Sequence, residues 1–202
     1  MDDMPVPMNH DAAQEGLAPT IELRRGGAAD AAQLCVLATH VFVDTYCQGG
    51  LRPDQAREAL SQYAVAEFER RVAQGHEFTL ACRGEHLLGF TETACVDEVP
   101  LPEVAGALEL MRLYIGPGAQ RQGLGRTLLA HAEERAMALG CDGVWLGAWV
   151  HNLRALAFYA AMGCVDVGRM DYVFEGRVYE NRVLFKRAQR ARGKGAFGNR
   201  SR

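Results

Sequence analysis

Gln120, Gly123 and Gly125 lie in the stretch GPGAQRQGLGRTLL, Gly116 to Leu129, spaced as Q-x-x-G-x-G directly before an apolar helical stripe. These residue types at this spacing suit an anion, because glycines let the main chain approach a ligand and the first N–H groups of a helix have no partner of their own. The same turn also serves as a plain helix start, so its surroundings must narrow the chemistry. A dinucleotide fingerprint would need a third glycine at Leu128, and a P-loop would need Gly-Lys-Ser/Thr where Gly125 is followed by Arg126 and Thr127. Neither fits. Serine nucleophile chemistry lacks supply, since the serines are Ser61, in a polar helical stretch, and Ser201, and no G-x-S-x-G occurs. The cysteines at 35, 47, 82, 95, 141 and 164 form no C-x-x-C pair and have no histidine at metal-ligand spacing. That predicts reduced thiols, with neither a zinc site nor a disulfide framework.

The elements that must position the turn follow from periodicity. TIELR, from Thr20, alternates as a short strand, and Ala28 to Tyr46 keeps apolar residues at helical spacing until Gly49 and Gly50. PDQAREALSQY and AVAEFERRV predict two short amphipathic helices. HEFTLACR and HLLGFTETACV predict a hairpin across Gly84 and Glu85, followed by a loop near Pro100 and Pro102. LELMRLYI, Leu108 to Ile115, is a strand ahead of the glycine turn, and Leu124 to Leu139 is a helix with Leu124, Leu128, Leu129, Ala132, Ala136 and Leu139 on one side and Gly140 as its stop. GVWLGAWV is a buried strand. Asn152 is a good N-cap for a helix running to Met162, and a last hairpin turns at Glu175 and Gly176. Strands this apolar need cover on both faces, which predicts an α/β fold with a mixed sheet flanked by helices.

The combination resembles a known family. QRQGLG preceded by ELMRLYIGP, and HNLRALAFYAAMG after the next strand with Asn152, Ala155, Phe158 and Tyr159 as N-x-x-A-x-x-F-Y, is similar to the acetyl-coenzyme A site of the GNAT N-acetyltransferases. The resemblance spans about Thr20 to Arg187 and is strongest from Glu109 to Gly163. Within the family, FVDTY, LELMRLYI and LGAWVHN look most like the bacterial spermidine/spermine acetyltransferases; where such proteins usually carry Gly-Phe, this chain has Gly163-Cys164.

The resemblance implies a mostly antiparallel GNAT-like sheet and acetyl-CoA as co-substrate. Backbone N–H groups from Arg121 through Gln122, Gly123, Leu124, Gly125 and Arg126 to Thr127 would hold the pyrophosphate, with Gln120 and Asn152 beside them. Gly123 and Gly125 would be needed there because a Cβ would block the approach, and Arg121 and Arg126 could add charge-assisted contacts. It also implies that the strand Leu110 to Ile115 splays from its neighbour through a bulge, so that amides near Leu113 and Ile115 meet the thioester and pantetheine arm. Tyr159 is the expected general acid and Glu109 the expected base, with Glu92, His151 or an ordered water as other routes for the proton. Tyr46 and Glu92 are expected to line the acceptor pocket, built by the N-terminal helices and the last hairpin. The expected acceptor is a small-molecule amine, polyamine-like or otherwise. Peptide acceptors, and a non-catalytic acyl-CoA-binding sensor, stay open as alternatives.

Bulk properties agree with a single domain. The 202 residues are 49% hydrophobic with a formal net charge of −3, and seven cationic side chains with no carboxylate occupy the end from Lys186 onward, so the body is acidic. Residues 1–19 and 188–202 are expected to be disordered tails around a domain at 20–187. No metal, nucleic acid or membrane partner is expected, a homodimer is left open, and a cytoplasmic location follows from the absence of signal-peptide and transmembrane patterns.

Overall fold

The computed structural model describes residues Thr20–Ala188; the two expected tails lie outside the described residues, apart from Ala188. Seven strands and five helices alternate as β1 (Ile21–Gly26), α1 (Ala31–Tyr46), α2 (Pro53–Gln62), α3 (Val65–Ala73), β2 (Glu77–Arg83), β3 (His86–Ala94), β4 (Leu108–Ile115), α4 (Leu124–Ala138), β5 (Gly143–Trp149), α5 (Leu153–Ala161), β6 (Val165–Phe174) and β7 (Arg177–Arg187). The strands make one sheet in the order β1-β2-β3-β4-β5-β7-β6. All neighbours are antiparallel except β4 and β5, which run parallel.

Side-chain alternation on the strands divides the core between two faces. On one, Phe78, Leu80 and Phe90 of the sheet pack with Leu34, Ala38 and Phe42 of α1 and Phe68 of α3. On the other, Leu108 and Leu110 of β4 and Val144 and Leu146 of β5 meet Leu129, Ala132 and Ala136 of α4 and Tyr159 of α5. Helices thus cover both faces, as the apolar strands require. Helix starts and stops follow local chemistry: Pro53 opens α2, where a missing N–H costs nothing, and the Asn152 side chain caps α5 by accepting the Ala155 N–H. The final hairpin turns through Glu175 and Gly176, both at positive φ, as a tight two-residue turn demands. Among the described residues, no helix is long and apolar enough to cross a membrane.

Two irregularities open the sheet at its centre. Met111 is an extra residue on β4, because Glu92 faces Arg112 while the next residue, Thr93, faces Leu110. β4 and β5 pair only at Leu108↔Val144 and Glu109↔Trp145. From Leu110 to Ile115 the β5-facing edge of β4 therefore has no strand beside it.

Candidate functional site

A groove of about 550 Å³ lies on the α4/α5 face, where β4 and β5 part. Leu113 and Ile115 of β4, Gln120, Arg121, Gly123, Leu124, Gly125 and Arg126 of the turn and first helical residues, and Asn152 and Tyr159 of the α5 region all line it. Gln122 and Thr127 do not: Gln122 turns aside to accept from Arg83 and donate to the Gly118 carbonyl, and the Thr127 hydroxyl donates to the Gly123 carbonyl. Among the described residues, the N–H groups of residues 121 to 126 find no acceptor, and Thr127 is the first to pair, with the Gly123 carbonyl at 3.1 Å. A run of unpaired amides at the start of a 15-residue helix is a charge arrangement suited to a diphosphate.

The two glycines serve different needs. Gly123 holds φ +83, a left-handed conformation that turns the chain into α4, and a Cβ there would meet nothing within 4 Å. Space above this amide is free for a ligand. Gly125 is different, because its Cβ would lie 3.1 Å from the Phe158 ring. Its smallness lets α4 approach α5, a need beyond the expected clearance for a ligand. Arg121 also sits at positive φ, at 62°.

Gln120 is fixed from two sides, its amide nitrogen donating to the Ile115 carbonyl at 3.4 Å and its oxygen accepting from Arg154 at 2.9 Å. Arg154 thereby ties α5 to the turn. Arg154 and Met162 line the groove without having been expected there, and Phe158, expected only as part of the N-x-x-A-x-x-F-Y pattern, lines it too; the helical spacing of Arg154 and Met162 about Phe158 and Tyr159 was the available signal. Tyr159 is buried, and that burial pushes its phenol well above the ordinary range, so the hydroxyl stays protonated and can donate.

A second cavity, a chamber of about 390 Å³, opens on the opposite face between α1, α2, β4, β5 and the β6–β7 hairpin. Tyr46 lines it with Phe42, Tyr63, Trp149, Tyr172 and Tyr179, and so do Arg52, Glu58 and Arg112. Tyr114 lines both cavities, so they meet at this residue, beside the gap in the sheet. Its hydroxyl lies 3.0 Å from that of Tyr63. Tyr114 was in view only as a strand residue; the bulge at Met111 places it at the junction, and no local pattern announces a bulge.

Three expected residues lie elsewhere. Glu92 is fully buried under α3 and lines neither cavity, because its carboxylate accepts from Arg112 and lies 2.7 Å from His76 Nδ1. It therefore cannot touch an acceptor as expected; it fixes Arg112, which does face the chamber. Glu109 also lines neither cavity. It is half-buried on β4, and desolvation, with the Glu92 carboxylate adding and Arg112 opposing, raises it to about 7. His151 is exposed, its ring edge-on to Trp149 at 5.0 Å.

Comparisons with known proteins bear on this arrangement. Residues 45–164 match the family model described as Acetyltransferase (GNAT) family. An uncharacterised N-acetyltransferase from the pepI 3′ region of Lactobacillus delbrueckii subsp. lactis is 39% identical over 69 residues, which is 34% of this chain and 40% of that protein. In three dimensions, the chain is similar to the PaiA N-acetyltransferase of Thermoplasma acidophilum, solved in complex with coenzyme A, with a TM-score of 0.65 at 21% identity over 83% of this chain and 99% of the other. It is also similar to yncA of Salmonella typhimurium, solved with acetyl-CoA, with a TM-score of 0.61 at 19% identity over 88% and 99%. At these identities the structural likeness speaks for the fold.

Proposed function

The chain belongs to the GNAT family of acetyltransferases, and from that membership we propose that it transfers an acetyl group from acetyl-CoA to a primary amine of a small acceptor by direct attack. The observation that carries this reading is the meeting of the two cavities at Tyr114: one offers a diphosphate cradle and the other a side-chain-lined chamber. Acetyl-CoA, when bound, supplies the acetyl group as a thioester activated toward an amine. The unpaired N–H groups of Arg121 and of Gly123 to Arg126 hold its diphosphate, and Gln120, Asn152 and the first turn of α4 shape the groove around it. The free edge of β4 from Leu113 to Ile115 supplies main-chain polar groups beside the pantetheine arm and the reacting carbonyl.

Tyr159 donates its proton to the departing thiolate as the carbon–sulfur bond breaks and the new carbon–nitrogen bond completes. Burial suits it to this role by keeping the phenol protonated at all ordinary pH values. The attacking amine must be neutral, and its proton leaves toward Glu109, whose value of about 7 matches a base at neutral pH. Because Glu109 lines neither cavity, a water molecule carries the proton between them. Tyr46 forms part of the acceptor wall. The described cysteines are all free, which suits a cytoplasmic enzyme.

The test is thiol release. Full-length protein with acetyl-CoA should release free thiol when diamines, monoamines or peptides are supplied in turn, and the most active class names the acceptor. Silence with every amine, while calorimetry detects acetyl-CoA binding, would make the chain a non-catalytic binder and refute the transfer.

A further inference from the structure

Of the charged side chains that line the chamber, one has no ion-pair partner among the described residues. Arg52 donates to both oxygens of Asp54, at 3.0 and 3.1 Å, and Arg112 donates to Glu92. Each cation facing the chamber thus has a carboxylate partner, although Asp54 also takes Arg177 at 3.3 Å and Glu92 also lies 3.9 Å from Arg71. Glu58 lines the same chamber, yet among the described residues no Lys, Arg or His nitrogen lies within 4.0 Å of its carboxylate. Its one side-chain partner is the Tyr172 hydroxyl, which donates to Oε1 at 3.2 Å. A half-buried carboxylate without a counter-charge is costly unless a ligand supplies one. The same chamber is lined by the rings of Tyr46, Tyr63, Trp149, Tyr172 and Tyr179, whose faces attract a cation and whose bodies cover an aliphatic chain.

Resting on the acetyl-transfer reading, we propose that Glu58 selects the acceptor by binding a second, protonated nitrogen of a diamine, while the neutral amine at the other end faces Tyr114 and the groove. The acceptor is then an aliphatic chain with an amine at each end. The aromatic walls take the spacer and Glu58 takes the charge. A distal carboxylate would meet Glu58 with like charge, so ω-amino acids are disfavoured.

The experiment compares α,ω-diaminoalkanes, n-alkylamines and ω-amino acids of matched length on the wild type and on Glu58→Gln, which keeps the side chain's size and its acceptor for Tyr172. The KM of the diamine should rise roughly 10- to 100-fold in the variant, the range for a charge-assisted contact, while kcat, the acetyl-CoA KM and the alkylamine KM stay within about twofold. Thermal midpoints of the two proteins establish that the variant is folded. Equal losses for diamine and alkylamine, or wild-type use of the ω-amino acid as good as that of the diamine, would overturn the proposal. If the wild type releases thiol with no amine, the transfer reading fails by itself. Calorimetric titration of the diamine into wild type and Glu58→Gln then decides the binding role: weaker binding in the variant supports it, and equal binding refutes it.

Discussion

The groove and the chamber touch at Tyr114 but are built on opposite plans. The groove is made largely from one run of chain, Leu113 to Met162, and its polar work falls to main-chain amides oriented by the left-handed turn at Gly123. The chamber gathers side chains from Phe42 to Asn181, and its walls are aromatic rings and charges carried by helices and a hairpin far apart in sequence. A main-chain site tolerates many side chains and serves one ligand, whereas a side-chain site changes with each substitution. Changes in the groove should therefore alter coenzyme binding or chemistry for every acceptor, and changes in the chamber should alter acceptor preference alone.

The sharpest break would come from Tyr159→Phe. Turnover should fall by roughly 10²-fold or more with every amine while acetyl-CoA affinity is kept, the size expected for loss of a general acid; an unchanged kcat would take the phenol out of the chemistry. Next in size is Gly123→Ala. Forcing a Cβ to φ +83 stores about 1–3 kcal/mol of strain. Either the thermal midpoint drops accordingly or the turn relaxes, with acetyl-CoA affinity falling by the matching roughly 5- to 100-fold and acceptor KM unmoved.

Glu109 gives a smaller effect with a definite sign. Its carboxyl titrates near 4.5 when unfolded and at about 7 in the folded chain. The stability it contributes is thus complete below 4.5 and is lost as pH rises through 7. Glu109→Gln should lose less stability than wild type between about pH 5 and 8, by on the order of 1–3 kcal/mol, measured by denaturant unfolding at each pH. In the same variant the acid limb of kcat/KM near pH 7 should vanish; a retained limb assigns the base elsewhere. The smallest effect belongs to the clasp between α2 and the last hairpin, where Arg57 donates to both oxygens of Glu175 at 2.6 and 2.5 Å on an exposed rim. Arg57→Ala should raise acceptor KM by no more than two- to threefold, and the difference should disappear in high salt.

These plans also explain what the sequence made legible. The strand, turn and helix around Gln120, Gly123 and Gly125 carry their own punctuation, as do the Asn152 cap and the Glu175-Gly176 turn, so the element order and the groove could be anticipated from neighbours in the chain. The chamber has no such local grammar. Glu58 looked like any helical glutamate, and only the docking of the hairpin brings Tyr172 to it. Glu92 erred in the other direction, because a carboxylate in a strand near the site promised contact with an acceptor until α3 and Arg112 enclosed it. The packing need met by Gly125 was likewise hidden, since it depends on the distance between two helices.

A sheet whose fourth and fifth strands share only two paired positions is in effect two leaves, β1 to β4 and β5 to β7, and the chain passes from one to the other once, by way of α4. Most of the free energy that joins the leaves must then come from the apolar contacts of α4 and α5 rather than from the ladder. Such a molecule invites division: a nick in the 139–142 connection, after α4, would leave two pieces able to reassemble through that packing, and ligands spanning the crease would act as their glue.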